Sequence, residues 1–114
     1  MPKYYVRDND QQEARRYRAV KGEANTASFD FSPWTDDNGA ITSATWTVRS
    51  GNAAVSGEAL ASNLATAVIT TASSGMSLIE IKGAGATNSK IAVLEVYAVD
   101  PDAPLGTYDY WYSR

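Results

Sequence analysis

Few side chains in this sequence can move a proton, hold a metal or attack an electrophile. It contains no histidine and no cysteine. That removes the side chain that titrates nearest neutrality, which is also the commonest metal ligand. It also removes the thiolate as nucleophile or metal ligand. A general base would have to be a carboxylate, a lysine or a tyrosine with a strongly displaced pKa. The carboxylates that fall close together are Asp36 and Asp37, followed by Asn38, and the pair Asp100 and Asp102 around Pro101. Either group can lend oxygens to Ca²⁺, which takes roughly six to eight of them. Neither belongs to a D-x-D-x-D-G loop, and both suit turns in which the side chain bonds nearby backbone N–H groups. The expectation is no metal, no cofactor and no catalytic residue.

Binding chemistry is better represented. Arg15, Arg16 and Arg18 form a basic patch, but no nucleic-acid motif accompanies them and the net charge is −3. Nucleic acid is therefore not the expected partner. The charge is uneven: Lys3, Arg7, Arg15, Arg16, Arg18 and Lys21 crowd the start, while the remainder is acidic. Such asymmetry suits contact between the basic start of one subunit and the acidic body of another. No window approaches the ~20 apolar residues of a membrane-spanning helix, and the first residues have no apolar core of a secretion signal. Trp34 and Trp111, with Asp36 or Asp102, would be the side chains of a carbohydrate-binding module.

These residues must be positioned by strands. In Phe29 to Val48 the pattern alternates with period two: Phe29 and Phe31 share one side, and Ala44, Trp46 and Val48 share one face of a later run. Pro33 ends the first run, and Asn38-Gly39 is a strong turn signal. Weaker alternation spans Ala14 to Val20. Further strands are expected over 53–60, where Gly57 suggests a bulge, and over 65–71, 76–82 and 90–99. Gly83 to Ser89 reads as a flexible hairpin connection. The run from Lys90 to Val99 is apolar on both sides apart from Glu95 and the hydroxyl of Tyr97. Such a strand is central and covered, or covers a partner. About seven short strands with regular turn signals predict an all-β, immunoglobulin-like β-sandwich. Its organisation is an N-terminal arm over 1–13, the sandwich over 14–100 and an aromatic tail over 101–114. Phe29, Phe31, Trp46, Val48, Ile79, Ile81, Leu94 and Val96 are its expected core.

The stretch FDFSPWTDDNGAITSATWTV, with Gly51 and the run SNLATAVITT at Ser62 to Thr71, resembles the phage fibre–tail adaptor family of small immunoglobulin-like virion proteins. Phe29, Asp30, Phe31, Ser32 and Trp34 fit an aromatic-Asp-aromatic-Ser-x-Trp element. Ile41, Ser43, Trp46, Thr47 and Val48 fit the I-x-S-x-x-W-T-V strand that follows. The likeness covers residues 26–99, about two-thirds of the chain. Where the family pattern has a Gly-rich turn with TxTI/R ends, this chain has SSGMSLIEIKGAGATNSK, and it adds the aromatic tail. The resemblance implies a non-enzymatic virion structural protein, assembled in the bacterial cytoplasm. It would be a tail or fibre adaptor that joins virion proteins and repeats as a homo-oligomer in the particle. A capsid decoration protein and a carbohydrate- or host-surface-binding module are the alternatives.

The terminal arms are the expected contact surfaces, through Tyr4, Tyr5, Arg16 and Arg18 at the start and Leu105, Tyr108, Tyr110, Trp111 and Tyr112 at the end. Tyrosine and tryptophan bury large areas with few rotatable bonds and are enriched where proteins meet. Folding back of the tail as an edge strand of its own sheet is the competing expectation.

Overall fold

The structure is a computed structural model that describes residues 3–6 and 14–100, apart from the side chains of Ala14 and Asp37. Among the described residues eight strands and one short helix follow in order: β1 (Lys3–Tyr5), β2 (Ala14–Val20), β3 (Ala24–Asp30), α1 (Ser32–Asn38), β4 (Ile41–Ser50), β5 (Ala53–Ala61), β6 (Leu64–Thr71), β7 (Gly75–Gly85) and β8 (Ser89–Val99). They form two four-stranded sheets, β1-β3-β6-β5 and β2-β8-β7-β4. This is the A-B-E-D and G-F-C order of an immunoglobulin sandwich, with β2 added beside β8. The first sheet also takes Lys3–Tyr5, which reads as part of a separate arm in sequence. β1 pairs parallel with β3, and β2 pairs parallel with β8, so the start of the chain lines one edge of each sheet.

Alternation explains the core. In β6 every second residue is buried, giving Ala65, Ala67, Ile69 and Thr71, while their neighbours are half-exposed. In β7 and β8 the inward set is Ile79 and Ile81, and Leu94 and Val96, all fully buried. The first sheet turns inward mostly small residues, Ala27, Ala53, Ala65 and Ala67, around the rings of Phe29 and Trp46. Small residues on one sheet leave volume for large ones on the other. Val48 is half-buried at the margin of this cluster.

Trp46 lies on β4, the strand that carries the buried tryptophan of immunoglobulin domains. In antibody domains that tryptophan packs on a disulfide between the two sheets. Here Phe29 of β3 meets it edge-on, with ring centroids 5.7 Å apart and planes at 78°. Edge-to-face geometry places the positive rim of one ring on the negative face of the other. A phenyl ring thus supplies the contact between sheets in a chain without cysteine.

The segment after β3 differs from the turn expected there. Seven residues form α1, with Pro33 in its first turn and Gly39 at its end with φ +87°. Proline fits there because the first N–H groups of a helix have no internal partner. A helix this short is not stable alone. Trp34 anchors it, 3% exposed in the core. Asn63 ties it down, accepting from Ile41 N–H through Oδ1 and from Phe31 N–H through its backbone carbonyl, while its amide donates to Thr35 Oγ1. The connection after Gly83 is also more ordered than its glycines suggest, because β7 runs to Gly85 and β8 starts at Ser89. Gly83 lies against the Phe31 ring, and a Cβ there would fall 2.8 Å from the nearest ring carbon. Glycine is needed at that point for close approach. The bulge expected at Gly57 is present: φ is +60° and the β5–β6 register shifts between Ser56 and Ala59.

Candidate protein-binding surfaces

The basic start of the chain is woven into one edge of the sandwich. Tyr4 on β1 packs against Phe29 at 5.1 Å, and its hydroxyl donates to the Arg16 carbonyl across the gap to β2. Arg15 reaches the other way, to the Tyr5 carbonyl at 3.5 Å. Burial, followed by the neighbouring Tyr17, raises the Tyr4 pKa. Burial and then the Glu23 charge raise that of Tyr17, with partial relief from a hydrogen bond to Asn25. Both phenols are therefore neutral seals between the sheets. The Glu23 carboxylate also accepts from Val20 N–H, which occupies part of the β2 edge. Exposed edge groups are templates for unwanted pairing, and such side chains blunt them.

Tyr4 is thus mostly spent on the fold, whereas Tyr5 stands 45% exposed beside Lys3, whose ammonium lies 5.3 Å from the ring centre. Arg16 and Arg18 project from the outer face of the second sheet. Arg16 Nε donates to Glu95 Oε1 at 3.1 Å, and its guanidinium sits 5.8 Å from the Tyr97 ring. The Tyr97 hydroxyl donates to the same carboxylate oxygen, and Arg18 stands opposite Tyr97 in register. Leu105, Tyr108, Tyr110, Trp111 and Tyr112 lie outside the described residues.

That outer face holds the residues that sequence reasoning did not single out. With Leu94 and Val96 turned inward, Ile91, Val93, Tyr97 and Val99 of β8 turn outward, beside Leu78 and Met76 of β7. All are half-exposed except Met76, which is 49% exposed. The signal was the two-sided apolar character of the last strand. Arg49 of β4 pairs with Glu80 of β7 at 3.2 Å, and Glu80 and Glu95 stand among these apolar residues, opposite Val93 and Leu78.

Trp34 is buried and offers no platform for stacking a sugar ring. Asp36 is exposed, and Asp102 and Trp111 lie outside the described residues. Among the described residues no three carboxylates gather in a way that would hold a metal ion.

No family model and no curated protein matches this sequence. Solved structures do resemble it in shape. The cysteine protease inhibitor EhICP2 from Entamoeba histolytica superposes with a TM-score of 0.53 over 85% of this chain and 97% of its own, at 6% identity. Amebosin gives a TM-score of 0.45 over 87% of this chain and all of its own, at 16% identity. The inhibitor shares the all-β sandwich with this chain.

Proposed function

We propose that the chain is a non-catalytic structural protein of a phage particle, an adaptor of tail or fibre that joins virion proteins by burying surface against them. The observation that carries this reading is how the residues of the family resemblance are used. Phe29, Phe31, Trp34, Ile41 and Trp46 are all buried in one cluster. Asp30 shapes the turn between the two elements, accepting from Ser32 N–H at 2.9 Å. The residues of the pattern thus act as a folding unit and not as a chance run of loop residues, which supports the resemblance. A scaffold of this kind works through its exterior, and the half-exposed apolar side chains on the outer face of the second sheet and the aromatic residues of 105–114 suit adhesion. A lasting joint buries about 1,200–2,000 Å² in total, and many copies in a particle make individually weak contacts sufficient.

Mass spectrometry of purified particles from the source phage tests the reading. The chain should be present at a fixed ratio to the tail or fibre proteins. Its absence from particles would overturn the proposal, as would turnover of a small molecule by the purified chain. Inhibition of a cysteine protease at matching concentrations would replace it with the activity that EhICP2 carries in its name.

A further inference from the structure

Asn38-Gly39 is a turn signal in the sequence, and it is also a dipeptide with chemistry of its own. The backbone nitrogen of the residue after an asparagine can attack the side-chain carbonyl carbon and close a five-membered imide. A glycine in that place brings no side chain to hinder the attack and has the widest choice of backbone angles. Asn25, Asn52, Asn63 and Asn88 are followed by Thr26, Ala53, Leu64 and Ser89, and Asn9 by Asp10, so Asn38 alone has this arrangement.

The fold holds both reacting groups. Asn38 ends α1, and its side-chain amide donates to the Trp34 carbonyl at 2.9 Å. The Gly39 N–H donates to the Thr35 carbonyl at 3.0 Å. The Asn38 carbonyl accepts from the Asn88 amide at 3.2 Å. Ring closure requires the Gly39 nitrogen to lose its proton and turn toward Asn38 Cγ, which breaks the first two of these bonds and takes Asn38 out of helical backbone angles. The helix itself is held by Trp34 in the core and by Asn63, whose amide donates to Thr35 Oγ1 at 3.2 Å. Seven residues keep a helical shape only through such contacts. When they part, Asn38 and Gly39 gain the freedom of an unfolded chain.

We propose that Asn38 is a site of spontaneous deamidation, gated by the opening of α1 and latched by Asn63. The chemistry is independent of the adhesive reading above. It balances with water alone. The Gly39 nitrogen gives its proton to solvent, the N–Cγ bond forms, and the Cγ–Nδ2 bond breaks as the amide takes up a proton and leaves as ammonia. Water then opens the imide at either carbonyl, leaving aspartate or isoaspartate. Either product puts a carboxylate at the C-terminal end of a helix, where the macrodipole is already negative. Either also replaces the donor to the Trp34 carbonyl with an acceptor. Isoaspartate further lengthens the main chain by a methylene and shifts Gly39 away from Thr35. The helix therefore cannot close as before, and the change is irreversible.

Peptide mapping of the full-length chain at neutral pH, with isoaspartate counted by enzymatic methyl transfer, tests this. In urea, Asn38 should convert faster than Asn52, Asn63 and Asn88. In native buffer its rate should fall by about tenfold or more, because a docked element opens only rarely. Asn63→Ala should raise the native rate about fivefold, the factor for one hydrogen bond of ordinary net strength, and leave the rate in urea unchanged. If Asn63→Ala no longer folds at the incubation temperature, Thr35→Val takes its place, since it removes the hydroxyl that Asn63 grips. Ile69→Val weakens the core by a similar factor, six residues along from Asn63 on β6, and should leave the native rate unchanged. A native rate equal to that in urea would overturn the inference, as would an Asn38 no faster than Asn88 in urea. A latch variant that changes nothing would do the same. So would Ile69→Val raising the rate as much as the latch variant, because global unfolding would then be the gate.

Discussion

Gly83→Ala is the most exacting probe of the packing that the aromatic element requires. The added Cβ would meet three carbons of the Phe31 ring at 2.8, 3.0 and 3.1 Å, where ordinary contact lies at about 3.5–4.0 Å. The ring must retreat by roughly half an ångström or more, yet Phe31 is fully buried and has no solvent to move into. Overpacking of this kind costs about 1–3 kcal/mol. The backbone at Gly83 is not in the left-handed region, so alanine itself is accepted there and returns about 0.5–1 kcal/mol by restricting the unfolded chain. The net cost should be about 1–2 kcal/mol. Urea unfolding reads it: with a slope of roughly 1–2 kcal/mol per molar, the midpoint should fall by about 1 M. In a Phe31→Leu background the ring is gone, and Gly83→Ala should cost nothing or stabilise slightly. The coupling between the two sites should therefore be about 1–2 kcal/mol in a double-mutant cycle. An equal cost in both backgrounds, or a Gly83→Ala variant as stable as the parent, would refute this account of how Phe31 and β7 meet.

Four further outcomes follow from the same structure. Trp46→Ala should cost about 3–5 kcal/mol in equilibrium unfolding; Trp46→Phe should cost far less, because the buried indole N–H has no hydrogen-bond acceptor and phenylalanine removes it. Gly51→Ala should be severely destabilising, since φ is +91° and the new Cβ would collide with Ser77 and with the Met76 carbonyl, and thermal melting will show it. Tyr4 and Tyr17 have folded pKa values raised by burial, so their contribution to stability is complete below about pH 10 and is lost as pH rises through those values; Tyr4→Phe should lower stability by about 1 kcal/mol at neutral pH and flatten the decline measured by unfolding above pH 10. Glu95→Gln should cost under about 1 kcal/mol, less at high salt, because its partner Arg16 is largely exposed.

The residues that face inward were legible because alternation in a strand is a direct imprint of burial. Trp46, Ile79, Ile81, Leu94 and Val96 all sit where period two places them. The helix at Ser32–Asn38 was not legible. Its composition, Ser-Pro-Trp-Thr-Asp-Asp-Asn, is that of a turn, and what makes it helical is Trp34 docking in the core with Asn63 bonding across from another loop. Neither contact is local in sequence. The placement of Lys3–Tyr5 as a strand was hidden for the same reason: three residues have no periodicity to read, and only pairing with β3 defines them. The packing of the Tyr4 ring against Phe29 was hidden too, because it depends on the pairing of β1 with β3. The outer face of the second sheet was half legible. Outward apolar residues on β8 could be read from the sequence, but their neighbours Leu78 and Met76 are set by the register with β7.

The central claim is that this chain acts by burying surface against other proteins. Replacing Trp111 with a photoreactive amino acid in the full-length chain, illuminating assembled particles and sequencing the adducts tests it most directly. The account predicts adducts to another protein chain. Particles that incorporate the protein but yield no adduct to any other chain would contradict it.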